Sequence, residues 1–178
     1  MWVRSEYAGE LAVLSAWLCA LLPWGITYTA GGGARLVRMH FVYGFLQFTS
    51  GLGGVAAPYI LVHDAPGFPG DGGVAFGYRL WLATAVVFSG AIVLSVLYYV
   101  YDERLESRSP IDPVRLMGGL LVLSAIGLSA ATYVLVTSAA GWTIPIGVPF
   151  LYVLGGLLLV VERTDVDPEE GNIPTDIE

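Results

Sequence analysis

Hydrophobic residues are concentrated in four long runs, which glycine-rich or charged segments separate. A helix needs about 20 residues to cross a hydrocarbon core of about 30 Å, and each run is of that order once its flanking residues are included. The pattern therefore predicts four transmembrane helices. They cover residues 8–29, 76–101, 114–138 and 144–161.

Local signals support three of these helices. Glu6 and Glu10 precede the first run, which is unfavourable for a cleaved signal peptide and favours a retained helix. Aromatic residues flank the second run at both ends, as in the interfacial belts of spanning helices. Asp112 followed by Pro113 is a strong helix start, because the carboxylate can cap free N–H groups and proline is tolerated at the first helical position.

The segment 36–62 allows two interpretations. It is long enough to span, but it contains Arg38, His40, Gln47 and several glycines. Its first half is rich in aromatic and β-branched residues, which favour strands, and a glycine cluster near residue 50 indicates a turn. We therefore predict an external β-hairpin here, with a fifth, weak helix as the alternative.

Composition excludes several classes of protein. Hydrophobic residues make up 56% of the 178 residues and charged residues only 13%, with a mean hydropathy of +0.70. A soluble domain has about 25% charged residues and cannot hide so much apolar surface at this length. This excludes an ordinary soluble enzyme or a nucleic-acid binder. The predicted fold class is an all-α integral membrane protein, a bundle of four transmembrane helices with the segment 31–75 outside or weakly spanning.

The charged residues predict the orientation. The chain has no lysine, and seven of its fifteen acidic residues fall in Glu162–Glu178, a segment that we predict to be a disordered tail. Arginine in short loops prefers the cytoplasm. Counting arginines in the four-helix and the five-helix topology places the tail in the cytoplasm in both, and the count slightly favours five helices. Local composition favours four helices, and we adopt the four-helix topology. We predict that the protein lies in the cell membrane.

Candidate chemistry is sparse. The predicted helices carry no acidic or basic residue in their central turns, whereas proton relays and ion paths need one there. Cys19 is the only cysteine, so no internal disulfide can form. We find no catalytic motif, predict no enzyme activity and assign no catalytic, cofactor or metal site. A weak polar cluster remains as a candidate if folding brings its members together: Arg38, His40, His63 and Asp64.

Small residues at four-residue spacing predict close helix contacts, because they let backbones approach in lipid. The clearest set is an alanine ladder on the first helix, and a second pair lies on the third helix. We interpret these positions as packing within one chain rather than as a dimer seam. They are Ala8, Ala12, Ala16 and Ala20, with Gly127 and Ala131.

Four stretches of the sequence carry a resemblance: residues 1–11, 21–26, 112–121 and 145–150. They resemble a group of small multipass membrane proteins from haloarchaea, and the resemblance spans most of the chain except the acidic tail. It implies an archaeal cell membrane and a salt-rich cytoplasm, which agrees with the absence of lysine. It also implies that the stretch 34–48 is strand-like. It supplies no activity and no site residue.

Three functions follow from these patterns. The leading one is a non-catalytic accessory or scaffold protein, whose partners are the lipid bilayer and another membrane protein, with no nucleic acid. The alternative is a small channel or carrier for a neutral or weakly polar solute, which would use Gln47, Thr49 and Ser50 if 36–62 spans. The third is an enzyme acting on lipid, which requires the polar cluster to assemble.

Overall fold

The computed structural model describes residues 2–51, 58–108, 111–138 and 141–164. Within these ranges the chain forms four α-helices, seven β-strands and one 3-10 turn, Val62–Asp64. The helices are α1 (Ser5–Leu21), α2 (Gly73–Arg108), α3 (Pro113–Ser138) and α4 (Gly147–Val160). The strands are β1 (Trp2–Arg4), β2 (Gly25–Gly31), β3 (Ala34–His40), β4 (Gly44–Ser50), β5 (Tyr59–Leu61), β6 (Trp142–Ile144) and β7 (Glu162–Thr164).

Five strands form one antiparallel sheet in the order β5-β4-β3-β2-β6. Strands β2 to β5 come from the segment between α1 and α2, while β6 comes from the short connection between α3 and α4. The turn between β2 and β3 uses Gly32 and Gly33 with φ of 59° and 81°, a region that glycine enters without steric cost. Because β6 pairs with β2, the sheet joins both connections at one end of the helices.

Consecutive helices run antiparallel and meet closely at glycines. A Cβ on Gly73, at the start of α2, would collide with Ser138 at the end of α3. A Cβ on Gly118, near the start of α3, would lie 2.9 Å from the carbonyl oxygen of Gly155, near the end of α4. At the end of the bundle away from the sheet, β1 and β7 form a short parallel pair.

The sheet shows that the predicted all-α bundle of four transmembrane helices is wrong. Two of the described helical segments are long and apolar enough to cross a membrane: Gly73–Tyr101 within α2, and Pro113–Ser138. At 1.5 Å per residue, the 17 residues of α1 and the 14 of α4 extend about 26 Å and about 21 Å. Both are shorter than a hydrocarbon core of about 30 Å.

Two of the predicted helices include strand residues, which explains the error. The predicted helix 8–29 ends at Leu21, just before Pro23, and the chain then enters β2. Ile144, the predicted start of the last helix, belongs to β6 and pairs with Ile26. Hydropathy marks these residues as apolar, but it cannot distinguish a short buried strand from the end of a helix.

The segment 36–62 forms strands and not a fifth helix. It contains most of β3 and the whole of β4 and β5, while residues 52–57 lie outside the described residues. At the other end of the chain, Glu162–Thr164 form β7 beside Trp2–Arg4. The rest of the predicted disordered tail, residues 165–178, lies outside the described residues.

Candidate functional site

A row of polar side chains lies between the sheet and the first turns of α2. The strand register places Thr143, Thr27, Arg38 and Gln47 side by side across β6, β2, β3 and β4. Side chains alternate between the two faces of a strand, so residues paired in this way share a face. The hydrogen bond from Arg38 to Tyr78 identifies this face as the inner one, toward α2.

The guanidinium of Arg38 is held by neutral groups. Its Nη1 donates to Tyr78 Oη at 3.0 Å, and its Nη2 donates to Gln47 Oε1 at 3.3 Å. Its Cζ lies 5.2 Å from the centroid of the Phe45 ring, which is within cation–π range. Its Nε is buried and has no hydrogen-bond partner among the described residues. These contacts fix the position of the charge without neutralising it.

The sequence around the sheet explains why the charge has no carboxylate partner there. Residues 11–63 contain no aspartate or glutamate, and β6 contains none either. Arg35 and Arg38 therefore make the sheet positive. An electropositive, partly enclosed site attracts anionic groups and repels metal cations. Among the described residues, no group of three or more His, Cys, Asp or Glu side chains could hold a metal ion.

His40 is enclosed at the end of β3, with only 3% of its surface exposed. Its Nε2 lies 3.0 Å from Thr27 Oγ1, and its ring lies 4.7 Å from Phe45 and 5.1 Å from Trp81, measured between centroids. Its Nδ1 is buried with no hydrogen-bond partner in the described part of the chain. A second N–H would be unsatisfied there, so the imidazole remains neutral.

The same surroundings shift the protonation equilibrium of His40. Burial, and after it the nearby charge of Arg38, lowers the pKa of His40 from 6.5 to about 3. A general acid or base works best with a pKa near the working pH. The pKa of His40 lies far below that range, and the imidazole is neutral. Its surroundings therefore suit a structural role better than proton transfer at neutral pH.

Trp24 connects the site to the helices. Its backbone N–H donates to the His40 carbonyl at 2.7 Å, and its carbonyl accepts from the Gly147 N–H at 3.2 Å. Its indole lies 5.6 Å from Trp81 and 5.3 Å from Phe88, measured between ring centroids. Trp24 thus links the end of β3 and the start of α4 through its backbone, and the middle of α2 through its buried indole.

The predicted polar cluster separates into two pairs. Arg38 and His40 follow each other on the inner face of β3 and belong to the enclosed row. His63 and Asp64 lie in the 3-10 turn, with His63 Nε2 3.5 Å from Asp64 Oδ2. Both side chains of this second pair are more than half exposed, at 56% and 62%. The partners of Arg38 are Tyr78, Gln47 and Phe45, which the sequence analysis did not assign to it.

Gln47, Thr49 and Ser50, the residues of the channel alternative, all lie on β4. They belong to the sheet and to neither α2 nor α3. The channel alternative requires 36–62 to span the membrane as a helix, and the described residues of this segment form strands instead.

The outer face of the sheet is apolar and aromatic. The register aligns Trp142, Tyr28, Val37 and Phe48 across four strands, on the face opposite Arg38. The exposed fractions are 83% for Trp142, 44% for Tyr28 and 56% for Phe48. A soluble sheet with one covered face normally places its apolar residues inward and its polar residues outward, so these two rows are reversed relative to such a sheet.

The predicted helix-packing residues lie mostly in helix contacts. Ala8, Ala12 and Ala16 are fully buried on α1, whereas Ala20 is half-buried. On α3, Ala131 is fully buried, and a Cβ on Gly127 would collide with the Thr84 side chain of α2. The sequence analysis missed the contact between Gly118 and the backbone of Gly155. The sequence signal for this contact is a Gly-Gly pair on each helix: Gly118 with Gly119 on α3, and Gly155 with Gly156 on α4.

Comparisons with known proteins add a family but no activity. Residues 1–163 match a family model described as "Family of unknown function (DUF7549)". The comparison with curated proteins gives no match.

Proposed function

Since the chain belongs to this family of unknown function, we propose its role from the geometry alone. It is a non-catalytic integral membrane protein that crosses the bilayer through α2 and α3 and presents the five-stranded sheet to a second membrane protein. The shorter apolar helices α1 and α4 pack beside the spanning pair. The observation that carries the proposal is the distribution of side chains around α2 and α3.

On α2 and α3, exposed aliphatic residues cover the outward side, while the inward side combines large apolar residues with small and hydroxyl residues. Val86 and Ile126 are 64% and 53% exposed, whereas Thr84 and Ser124 are buried. Only 33% and 39% of the most apolar windows of these helices are buried within the protein. Small residues and internally bonded hydroxyls at helix contacts, with aliphatic residues outside, are typical of helices packed in lipid.

The hydroxyls inside the bundle are satisfied within their own helices. Thr84 Oγ1 donates to the Leu80 carbonyl at 2.9 Å, and Ser124 Oγ donates to the Leu120 carbonyl at 2.7 Å. In hydrocarbon an unsatisfied polar group costs several kcal/mol. These back-bonded hydroxyls therefore fit a helix pair that is surrounded by lipid.

The accessory role is supported by the outer face of the sheet. Single exposed apolar residues are normal, but a contiguous apolar face marks an interaction surface. Aromatic residues are enriched at such surfaces, and Trp142, Tyr28 and Phe48 form a row there. Arg35 adds a positive charge, and the sheet has no acidic residue. A partner with an apolar patch and carboxylates at its edge would be complementary.

The membrane part of the proposal is tested by extraction. Membranes from expressing cells are washed with alkaline carbonate and, in parallel, dissolved in mild detergent. We expect the chain to stay in the carbonate pellet and to enter solution only with detergent, because α2 and α3 cannot leave lipid without exposing their aliphatic faces to water. Release by carbonate alone would contradict it.

The accessory part is tested by crosslinking in native membranes. A photoreactive residue replaces Phe48 on the outer face of the sheet, and a matched control carries it at Val93 on the outward side of α2. We expect Phe48 to give one discrete product containing a second membrane protein, and Val93 to give lipid adducts. If Phe48 yields no protein product, or only products with copies of this chain, the scaffold role is wrong.

A further inference from the structure

We infer that the turn between β3 and β4, Phe41–Tyr43, lies in the lipid at the membrane surface, so that the sheet is anchored in the bilayer beside α2. This inference rests on the proposed function and adds a lipid-binding surface to it. Three independent observations support it: the level of the turn along α2, the pairing of its carbonyl groups, and the side chains that it exposes.

Contacts of the turn fix its level along α2. Trp81 Nε1 donates to the Val42 carbonyl at 3.3 Å. The Tyr43 hydroxyl contacts Ser89 Oγ and lies 3.4 Å from the Ala85 carbonyl. The turn thus reaches the fourth and fifth turns of a helix that begins at Gly73.

The apolar part of α2 shows where lipid begins. It ends at Tyr101, where the helix has a non-helical residue with φ −135° and ψ 35°, and Asp102 follows. A hydrocarbon core of about 30 Å takes about 20 helical residues, so counting back from Tyr101 places the other boundary near residue 82. Ala85 and Ser89 then lie below the surface of the hydrocarbon.

Backbone pairing allows the turn to enter lipid. Irregular backbone at membrane depth is tolerated only where the protein satisfies its polar groups. The Tyr43 carbonyl accepts from the Val62 N–H at 3.0 Å, and the Gly44 carbonyl accepts from the Phe41 N–H at 2.8 Å. The Val42 carbonyl accepts from Trp81, as above, and the neighbouring His40 carbonyl accepts from the Trp24 N–H at 2.7 Å. Four of the five carbonyl groups from His40 to Gly44 are therefore paired.

The side chains of the turn itself and of Tyr59 beside it fit the lipid interface, whereas the exposed pair His63 and Asp64, which follows Val62, requires the polar side of that interface. Phe41, Val42 and Tyr43 carry no charge, and 43% of Tyr43 is exposed. The Tyr59 ring covers Gly44 so closely that a Cβ there would lie 2.5 Å from Tyr59 Cζ, yet 48% of Tyr59 is exposed. Tyrosine favours the membrane interface, where its ring is in an apolar layer and its hydroxyl is wet.

The opposite end of the sheet differs in its level along α2 and in the side chains that it exposes. The turn between β2 and β3 consists of Gly32 and Gly33, and a Cβ on either of them, or on Gly31 at the end of β2, would meet nothing within 4 Å. Arg35 and Ala30 beside it are exposed. That end extends away from the part of α2 that the Phe41–Tyr43 turn contacts, so it lies in water and provides a matched control.

Spin labels test the inference in vesicles of neutral phospholipid. Three single-cysteine proteins are made in a Cys19→Ser background, with Tyr43→Cys, Ala30→Cys or Val93→Cys. Collisions with oxygen, which concentrates in lipid, and with a water-soluble nickel complex are measured by electron paramagnetic resonance. We expect the label at 43 to resemble the label at 93, with relaxation by nickel several-fold weaker than at position 30.

Each outcome bears on a different statement. If 93 is lipid-accessible and 43 is nickel-accessible, the inference is overturned while the proposed function survives. If 93 itself is nickel-accessible, the proposed function fails. A label at 43 that neither reagent reaches would show burial in protein and would also overturn the inference. If the circular dichroism of Tyr43→Cys differs from that of the parent, the label is placed at Tyr59→Cys instead. The expected outcomes are the same, because Tyr59 adjoins the turn.

Discussion

The helix bundle and the sheet bury opposite kinds of side chain. Inside the bundle, buried alanines and paired hydroxyls lie with large apolar residues such as Leu121 and Leu128, and further aliphatic residues point outward. Inside the sheet contact, Arg38, His40 and Gln47 are enclosed with aromatic rings, and Trp142 and Phe48 point outward. In both regions apolar groups face outward, but among the side chains that the structure describes only the sheet contact encloses a charge.

The difference teaches what each region requires to be stable. Helices in lipid gain little from hiding apolar residues, so close backbone contact stabilises them. The sheet contact instead depends on satisfying polar groups, because a half-satisfied buried network costs more than an apolar core. Arg38 and His40 each keep one unpaired buried nitrogen. The sheet contact should therefore respond to pH, and the bundle should respond to side-chain volume.

The largest expected effect comes from the residue that joins the two regions. Replacing Trp24 by alanine removes a fully enclosed indole and its contacts with Trp81 and Phe88. Substitutions of this kind in a core cost about 3–5 kcal/mol. Unfolding in detergent, followed by tryptophan fluorescence, should show this loss.

Trp142→Ala is the matched control for Trp24. Trp142 is 83% exposed on the outer face of the sheet, so its removal should change the free energy of unfolding by less than about 0.5 kcal/mol. If Trp24→Ala lowered the free energy of unfolding no more than Trp142→Ala does, the contacts of the Trp24 indole with α2 would not stabilise the sheet.

The second effect is pH dependence, which separates the sheet contact from the bundle. The pKa of His40 falls from 6.5 to about 3 on folding, so between these values the unfolded chain binds the proton and the folded chain does not. His40 therefore contributes full stability above pH 6.5, and that contribution is lost as the pH falls toward 3. From pH 7 to pH 5 the loss is about 2 kcal/mol.

Equilibrium unfolding at several pH values measures this slope. His40→Gln keeps a polar side chain that can pair with Thr27 but cannot titrate, so it should flatten the curve between pH 5 and pH 7. An unchanged slope in that variant would assign the pH dependence to other groups and break the contrast between the two regions.

How much of this could be predicted from the sequence depends on the range of the interactions. The sequence places the start of α3 within one residue, because Asp112 caps it locally, with its Oδ1 2.9 Å from the Val114 N–H. It places the end of α1 wrongly, because residues of β2 are committed to a strand by pairing with β3 and with β6, more than 100 residues away.

The site was predictable in the same partial way. Arg38 and His40 stand out as charged or titratable residues in an apolar stretch, and they do lie together. Their partners Tyr78, Thr27 and Thr143 come from other elements, and no local pattern links them. The sequence analysis grouped them with His63 and Asp64 on the condition that folding brings all four together, and His63 and Asp64 form an exposed pair with each other. The haloarchaeal origin and the cytoplasmic tail stay predictions.

The third effect tests the sensitivity of the bundle to volume. A Cβ on Gly118 would lie 2.9 Å from both the Gly155 carbonyl oxygen and Leu158 Cβ, and backbone atoms cannot swing aside. Gly118→Ala should therefore push α3 and α4 apart and cost about 1–3 kcal/mol. Thermal unfolding in detergent measures the loss, and a neutral result would mean that the α3–α4 contact is loose.

The smallest effect has the opposite sign and uses the neighbouring glycines. A Cβ on Gly119 or Gly156 meets nothing within 4 Å, so alanine there only restricts the unfolded chain and favours the helix. Each substitution should stabilise the protein by about 0.5–1 kcal/mol. Comparing Gly119→Ala with Gly118→Ala separates the effect of packing from that of helix propensity, because both glycines lie in the same turn of α3. If Gly119→Ala destabilised the protein as much as Gly118→Ala, that face of α3 would be in contact with something, and the outward side of the bundle would not be free for lipid.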